Sequence, residues 1–250
     1  MVLFLILFVL NTYNFEFFGY RWKTFENYDE RSKNQFTSQM LEKTRRALIF
    51  RAEVKSTDTG LVYLSSGIIS EKPFSYGTFI FTVEGDLSNL KDACFAPFLY
   101  DFQAGTFEVD MEFSKWGNPL YPSGNYGIIR QFGNWKKPDS VKRVIERFPI
   151  KLRKKSITRH YIYWYPDSVV FKSCEVKKDK EKPIKKWVVT DKIFIPNKPM
   201  YVEIYLWWPK RPKNLVHHEI KVIDFKYIPL RGASYKGLFP GPSKVPQVSH

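Results

Sequence analysis

Thr106-Phe107-Glu108-Val109-Asp110-Met111-Glu112-Phe113 is the stretch from which the fold follows. Side chains along a β-strand point alternately to its two faces. Phe107, Val109, Met111 and Phe113 therefore share one face, and Glu108, Asp110 and Glu112 share the other. The first face is wholly apolar and belongs against a core. The second lines up three carboxyl groups.

Strands are expected on both sides of it. Leu61 to Leu64, Gly67 to Ser70, Ser75 to Val83 and Ala93 to Leu99 precede it. Tyr126 to Phe132, Arg159 to Trp164, Val169 to Lys172, Trp187 to Val189, Met200 to Trp207 and His217 to Tyr227 follow, with proline and glycine in the gaps. Thr37 to Leu48 offers one or two helical turns. No long amphipathic helix and no repeat period occurs. Many strands with irregular loops predict an all-β sandwich of two sheets. The aromatic excess, 22 Phe, 15 Tyr and 7 Trp, agrees, because flat rings pack well on pleated surfaces.

The length, 250 residues, suits one large β-domain, expected over residues 14–236. Hydrophobic residues at 44% exclude global disorder. The tail, residues 237–250, is rich in proline and glycine and is expected to be loosely held. Before the domain, Met1 to Leu10 is an unbroken apolar run. It is too short to span a bilayer, which takes ~20 residues. Residues 1–13 read either as an export signal without its basic start or as a buried first strand. The export reading places the protein outside the cell or at its surface.

The charge, 40 Lys+Arg against 25 Asp+Glu, gives +15 and a surface that attracts polyanions. Nucleic acid, acidic polysaccharide and anionic envelope all qualify. The two cysteines, Cys94 and Cys174, either pair or stay as buried thiols. Neither they nor the four histidines have a metal or redox spacing.

Three carboxylates in a row repel one another. A solvated acidic face, balanced by nearby lysine and arginine, accounts for the spacing. So does glycoside hydrolysis, which uses two carboxyl groups: ~5–5.5 Å apart for retention and ~6.5–9.5 Å for inversion. Residues i and i+4 of a flat strand lie ~13 Å apart. Two glutamates must therefore lean inward, helped by a concave strand, while the shorter central aspartate can hold their protonation states apart.

Glu108-Val109-Asp110-Met111-Glu112-Phe113 resembles the Glu-aliphatic-Asp-apolar-Glu-Phe signature of glycoside hydrolase family 16, the laminarinase, lichenase and xyloglucan-modifying group. The version is the one without an inserted bulge residue. Gly67 to Phe79 is similar to the family segment ending in Tyr-Gly-Arg-Phe. Ala96-Pro97-Phe98 matches its Pro-Ala-Phe-Trp, Trp164 to Phe171 its Trp-Thr-Pro-Asp-Ser-Ile-x-Trp, and Met200 to Pro209 its late strand ending in Leu-Trp. Order and spacing agree from about Ser65 to Tyr227.

The resemblance implies a β-jelly roll of the concanavalin A-like lectin and glucanase type, with a substrate cleft on its concave face. It makes Glu108 the nucleophile, Glu112 the acid/base and Asp110 the assisting acid of a retaining, endo-acting cut in a β-linked polysaccharide. Transglycosylation, or carbohydrate binding without turnover, are the other activities it allows. Several positions depart from the pattern, and they are expected in or near the cleft. Leu99 stands for a Trp, Phe107 for a polar residue, Thr158 for a His, and Ser114-Lys115 intervene before Trp116-Gly117.

Sugar rings have apolar C–H faces that stack on aromatic side chains. Trp116, Tyr126, Trp135, Trp207 and Trp208 are the candidates, with Arg130 and Gln131 for the hydroxyls, and Trp164 is assigned to packing. Basic residues concentrate at 136–137, 142–143, 147–155 and 172–192. They read as a solvated surface or as attraction to an anionic glycan. No nucleic-acid motif occurs, so no nucleic-acid partner is expected. The partner is a polysaccharide, the chain acts as a monomer, and no metal or cofactor is called for.

Overall fold

The computed structural model describes residues 13–101, 107–132, 140–153 and 155–231. Met1 to Thr12, Trp135 and the expected tail lie outside the described residues. The strands run in chain order as β1 (Asn14–Phe17), β2 (Tyr20–Thr24), β3 (Asn27–Asp29), β4 (Asn34–Phe36), β5 (Leu41–Lys43), β6 (Leu48–Thr57), β7 (Gly60–Ser70) and β8 (Gly77–Glu84). They continue as β9 (Cys94–Tyr100), β10 (Phe107–Phe113), β11 (Gly124–Gln131), β12 (Val141–Phe148), β13 (Ile157–Trp164), β14 (Val169–Lys177), β15 (Lys180–Val189), β16 (Tyr201–Trp207) and β17 (His217–Pro229).

Two layers result. The first runs β1-β2-β7-β16-β9-β10-β11-β12 in space, antiparallel throughout. The second carries β6-β17-β8-β13-β14-β15, also antiparallel. Strand β7 belongs to both. Its first half pairs with β6 and, in parallel, with β4; from Ser66 it pairs with β16 and β2. A strand that switches sheets in this way makes the corner of a sandwich. The architecture is an all-β jelly roll.

The alternation of β10 holds. Val109, Met111 and Phe113 are fully buried between the layers, against Phe79, Phe81, Ile162, Phe171 and Phe225 from the second. Trp164 packs in the same core and donates from Nε1 to the Pro196 carbonyl at 3.0 Å. The segment read as weakly helical is a 3-10 turn, Ser38–Met40, followed by β5. The polar stretch after Asn14 forms four short strands. Their alternation is too brief to register in a sequence, but each is held by pairing to a neighbour.

Cys94 and Cys174 are both buried and unpaired with each other. Leu99 and Phe107 belong to the core between the layers, and Thr158 is buried beside His160. These departures from the family pattern therefore do not lie in the cleft, contrary to expectation. Leu99 pairs with Val109 and so shares its inward face. No helix of the described residues is long and apolar enough to cross a membrane; strands are not covered by that statement.

Candidate active site

Register decides which side chains share the acid face, because directly opposed residues of paired strands point the same way. Across β11, Glu108 opposes Ile129, Asp110 opposes Gly127 and Glu112 opposes Asn125. One strand further, these oppose Arg143, Ile145 and Arg147 of β12. A cavity of about 280 Å³ opens over this patch. Asp110, Glu112, Trp116, Tyr121, Asn125, Gly127, Ile129, Arg143, Ile145 and Arg147 line it. Glycine at 127 leaves the space in front of Asp110 open; a Cβ there would sit 3.4 Å from Asp110 Oδ2.

On the other side of β10 the same face is closed. Phe98 of β9 opposes both Asp110 and Glu203 of β16. Phe98 and Phe25 meet the Tyr205 ring edge-on at 5.1 and 5.0 Å, and Phe36 lies 5.3 Å from it. These four rings form a second apolar cluster with Cys94, Ala96, Tyr100 and Trp207. Gly67 makes room for it, since a Cβ there would come within 2.9 Å of the Tyr205 ring. Described residues thus leave the groove open towards β11 and β12 and sealed over β9 and β16.

All three acids of β10 are nearly buried: Glu108 is 6%, Asp110 3% and Glu112 9% exposed. Burial disfavours the charged form of a carboxyl group. It is the first cause of a rise in each, to about 8 for Glu108 and about 7 for Glu112. Asp110 is raised well above the carboxylate range by burial and by the charges of Glu108 and Glu112. Asp110 shares a hydrogen bond with Glu108 that favours the proton on Asp110 and the charge on Glu108. Asn125 Nδ2 donates to Glu112 Oε2 at 2.6 Å, and Arg147 also favours the Glu112 anion. Asp110 Oδ1 and Asn125 Oδ1 are buried without a hydrogen-bond partner in the protein. Both belong to residues that line the cavity.

Of the expected sugar-binding residues, Trp116 lines the cavity, half-buried and edge-on to Trp207 at 6.1 Å. It sits in the turn after β10 with φ 53°, a left-handed conformation that costs a bulky residue roughly 1–2 kcal/mol. Trp207 is on the acid face but belongs to the sealing cluster. Gln131, opposite Val141, is two residues from Ile129 and so falls on the acid face near the strand end.

Three expectations are overturned. Tyr126 opposes Met111 and points into the core. Its hydroxyl donates to Ser173 at 2.6 Å and its ring stacks on Phe171 at 4.9 Å. Arg130 opposes Phe107 and lies over that ring at 5.1 Å, with Nη1 donating to the Ile193 carbonyl at 2.8 Å. Trp208 is fully buried and donates from Nε1 to the Leu64 carbonyl at 3.0 Å.

Sequence reasoning missed Asn125, Tyr121 and Glu203, and placed Arg143 and Arg147 only within basic runs read as a solvated surface or as attraction to an anionic glycan. Glu203 alone had a visible signal, a lone acid in the apolar run Tyr201 to Trp208.

No protein-family model and no curated protein matches this sequence. Solved structures do. A Bacteroides ovatus family 16 glycoside hydrolase bound to a mixed-linkage glucan product superposes with a TM-score of 0.60 at 10% identity, over 83% of this chain and 94% of that one. For a β-1,3-glucanase from Mycobacterium marinum the values are 0.59 and 13%, over 83% and 90%. For the Bacillus licheniformis β-glucanase they are 0.57 and 13%, over 82% and 91%. Across that distance in sequence, this chain keeps the jelly-roll fold of glycoside hydrolase family 16 structures.

Proposed function

We propose that the protein is a retaining glycoside hydrolase acting inside a β-linked polysaccharide with β-1,3/1,4-glucan-like linkages. The observation that carries the reading is the placement of Asp110 and Glu112, with buried unpartnered oxygens on Asp110 and Asn125, in a cavity of about 280 Å³ that admits a sugar ring. In the proposed first step the Glu108 carboxylate attacks the anomeric carbon. Glu112 gives its proton to the departing glycosidic oxygen, and a glycosyl ester forms on Glu108. In the second step Glu112 takes a proton from water, whose oxygen displaces Glu108 and restores the β configuration. Asp110, holding a proton towards Glu108, orients the nucleophile and limits the charge on the strand.

The free groove orders the two glutamates against these roles, with Glu108 about 8 and Glu112 about 7. On this proposal a bound ring reverses the order. Glu112 lines the cavity, so a sugar strips its remaining water and raises it further. Glu108, on the same face of β10, must meet the ring at its anomeric carbon, and it keeps the hydrogen bond from Asp110 that favours its anion. A polymer substrate of this kind is met outside the cell, which is the compartment the export reading of residues 1–13 expects.

Release of reducing ends from a polysaccharide panel tests the activity, and azide separates the roles. Glu108→Ala should lose turnover on every substrate. Glu112→Ala should still glycosylate Glu108 when the leaving group needs no proton, and azide should then yield the β-glycosyl azide after two inversions. In Glu108→Ala azide can enter only directly and should give the α product. An α-azide from Glu112→Ala, or full activity in Glu108→Ala, refutes the assignment.

A further inference from the structure

Each glutamate row of the site ends on an arginine. Glu108, Ile129 and Arg143 are in register across β10, β11 and β12, and so are Glu112, Asn125 and Arg147. The row between them, Asp110, Gly127 and Ile145, has no charge at its far end. Both arginines are among the residues lining the open cavity. Neither makes an ion pair with an acid among the described residues. The Arg147 guanidinium lies over the Tyr121 ring, 5.0 Å from its centre. Both are exposed on the edge strand β12, where their charges can meet an anion lying over the groove.

The sealed half of the face directs any ligand onto this wall. The rings of Phe25, Phe36, Phe98 and Tyr205 close the face over β9 and β16. A glycan reaching Glu112 must therefore lie over β11 and β12. Arg143 and Arg147 are four residues apart on one strand, ~13 Å along its axis, so a ligand meeting both is longer than one ring. Ile145 between them is 37% exposed and offers an apolar surface for sugar C–H groups.

On the reading of the site as a glycoside hydrolase, we propose that its substrate is an anionic β-linked polysaccharide, bearing carboxylate or sulfate groups that Arg143 and Arg147 bind. Arginine suits this role because its planar fork pairs with both kinds of oxyanion. The charge of +15 adds long-range attraction to the same polymers.

The experiment measures kcat/KM on a neutral mixed-linkage β-glucan, a β-linked polyuronate and a sulfated galactan. It also measures binding of oligosaccharides of each to Glu108→Ala, so that binding is seen without turnover. The expected result is a preference for one anionic polymer over the neutral one. That preference should fall by about tenfold per arginine replaced in Arg143→Gln and Arg147→Gln. Lys182→Gln with Lys186→Gln, which removes two exposed charges from β15, should leave it unchanged. Which anionic polymer responds separates carboxylate from sulfate. A wild-type enzyme that cuts the neutral glucan as well as either anionic one overturns the inference and leaves the hydrolase standing. So does a preference that falls equally in the Lys182/Lys186 variant. Arginine-dependent binding of an anionic oligosaccharide with no reducing ends released by the wild type sustains the anion site and overturns the hydrolase.

Discussion

Tyr126 shows how far a single residue can be read without its partner strand. It is aromatic, near the acids in sequence, and on the neighbouring strand, yet it faces the core because it opposes Met111 rather than Asp110. Its hydroxyl ends a buried chain in which Ser173 also meets His160 Nδ1 at 2.8 Å and Thr158 meets His160 Nε2 at 2.8 Å. Tyr126→Phe should therefore cost about 1 kcal/mol of stability, the net worth of one buried hydrogen bond, with KM unchanged. Thermal unfolding and initial-rate kinetics read the two. Trp116→Ala should do the opposite. It removes a wall of the cavity but keeps the Cβ that the left-handed φ disfavours, so KM should rise while Tm changes little. A raised KM in Tyr126→Phe would put that ring back in the groove.

At the scale of the element, β10 was legible because its two faces differ in kind, four apolar residues against three acids. Strand β11 was not. Its sequence, Gly-Asn-Tyr-Gly-Ile-Ile-Arg-Gln, mixes small, polar and apolar residues on both faces, so nothing in it sets the register that sends Tyr126 and Arg130 inward. Strand β12 hides in a basic run for another reason. Among the described residues it pairs with β11 alone, at the edge of the sheet, and its inward face includes Glu146, which pairs with Lys185 of β15. Charged residues on both faces erase the alternation that marks a half-buried strand, and charges also keep an edge strand from pairing with other chains. The groove nevertheless depends on β11 having glycine at its centre. Gly127→Val keeps a good strand former there, and its first carbon fits. The added methyl groups would occupy the space in front of Asp110. The expected result is a folded protein whose kcat/KM falls about 100-fold, the cost of displacing a substrate by ~1 Å. Unchanged kinetics would mean that the sugar does not lie over Gly127.

Across the whole molecule, two apolar clusters lie on opposite sides of one sheet, and the acids share the face of the second. Four carboxyl groups are thereby held with raised affinity for protons: Glu108, Asp110, Glu112 and Glu203. Glu203, which accepts a hydrogen bond from the Tyr205 hydroxyl, is raised from 4.5 to about 8, first by burial. The sign of the consequence follows from proton counting. Between the unfolded value near 4.5 and the folded values of about 7 and 8, the native state holds protons that the unfolded chain has lost. Stability from these groups is complete below 4.5 and is lost as pH rises through 7 and 8. His160 works the other way. Burial lowers it from 6.5 to about 3, so its contribution grows with pH up to about 6.5 and is then constant. Glu181, lowered to about 2 through its bonds to Lys172, Tyr161 and Arg159, affects only acid conditions. Above pH 6.5 the raised acids act alone among these groups. Tm should therefore fall steadily from pH 6.5 to 8.5, although nothing on the surface of a protein of charge +15 would suggest it. Glu203→Gln keeps the shape and removes one of the titrating groups, so its Tm should fall less over the same interval. Calorimetry on both proteins at matched ionic strength decides it. A flat or rising wild-type curve would mean that these carboxyls ionise in the native state as freely as in water, and that the face they share is wetter than its packing allows.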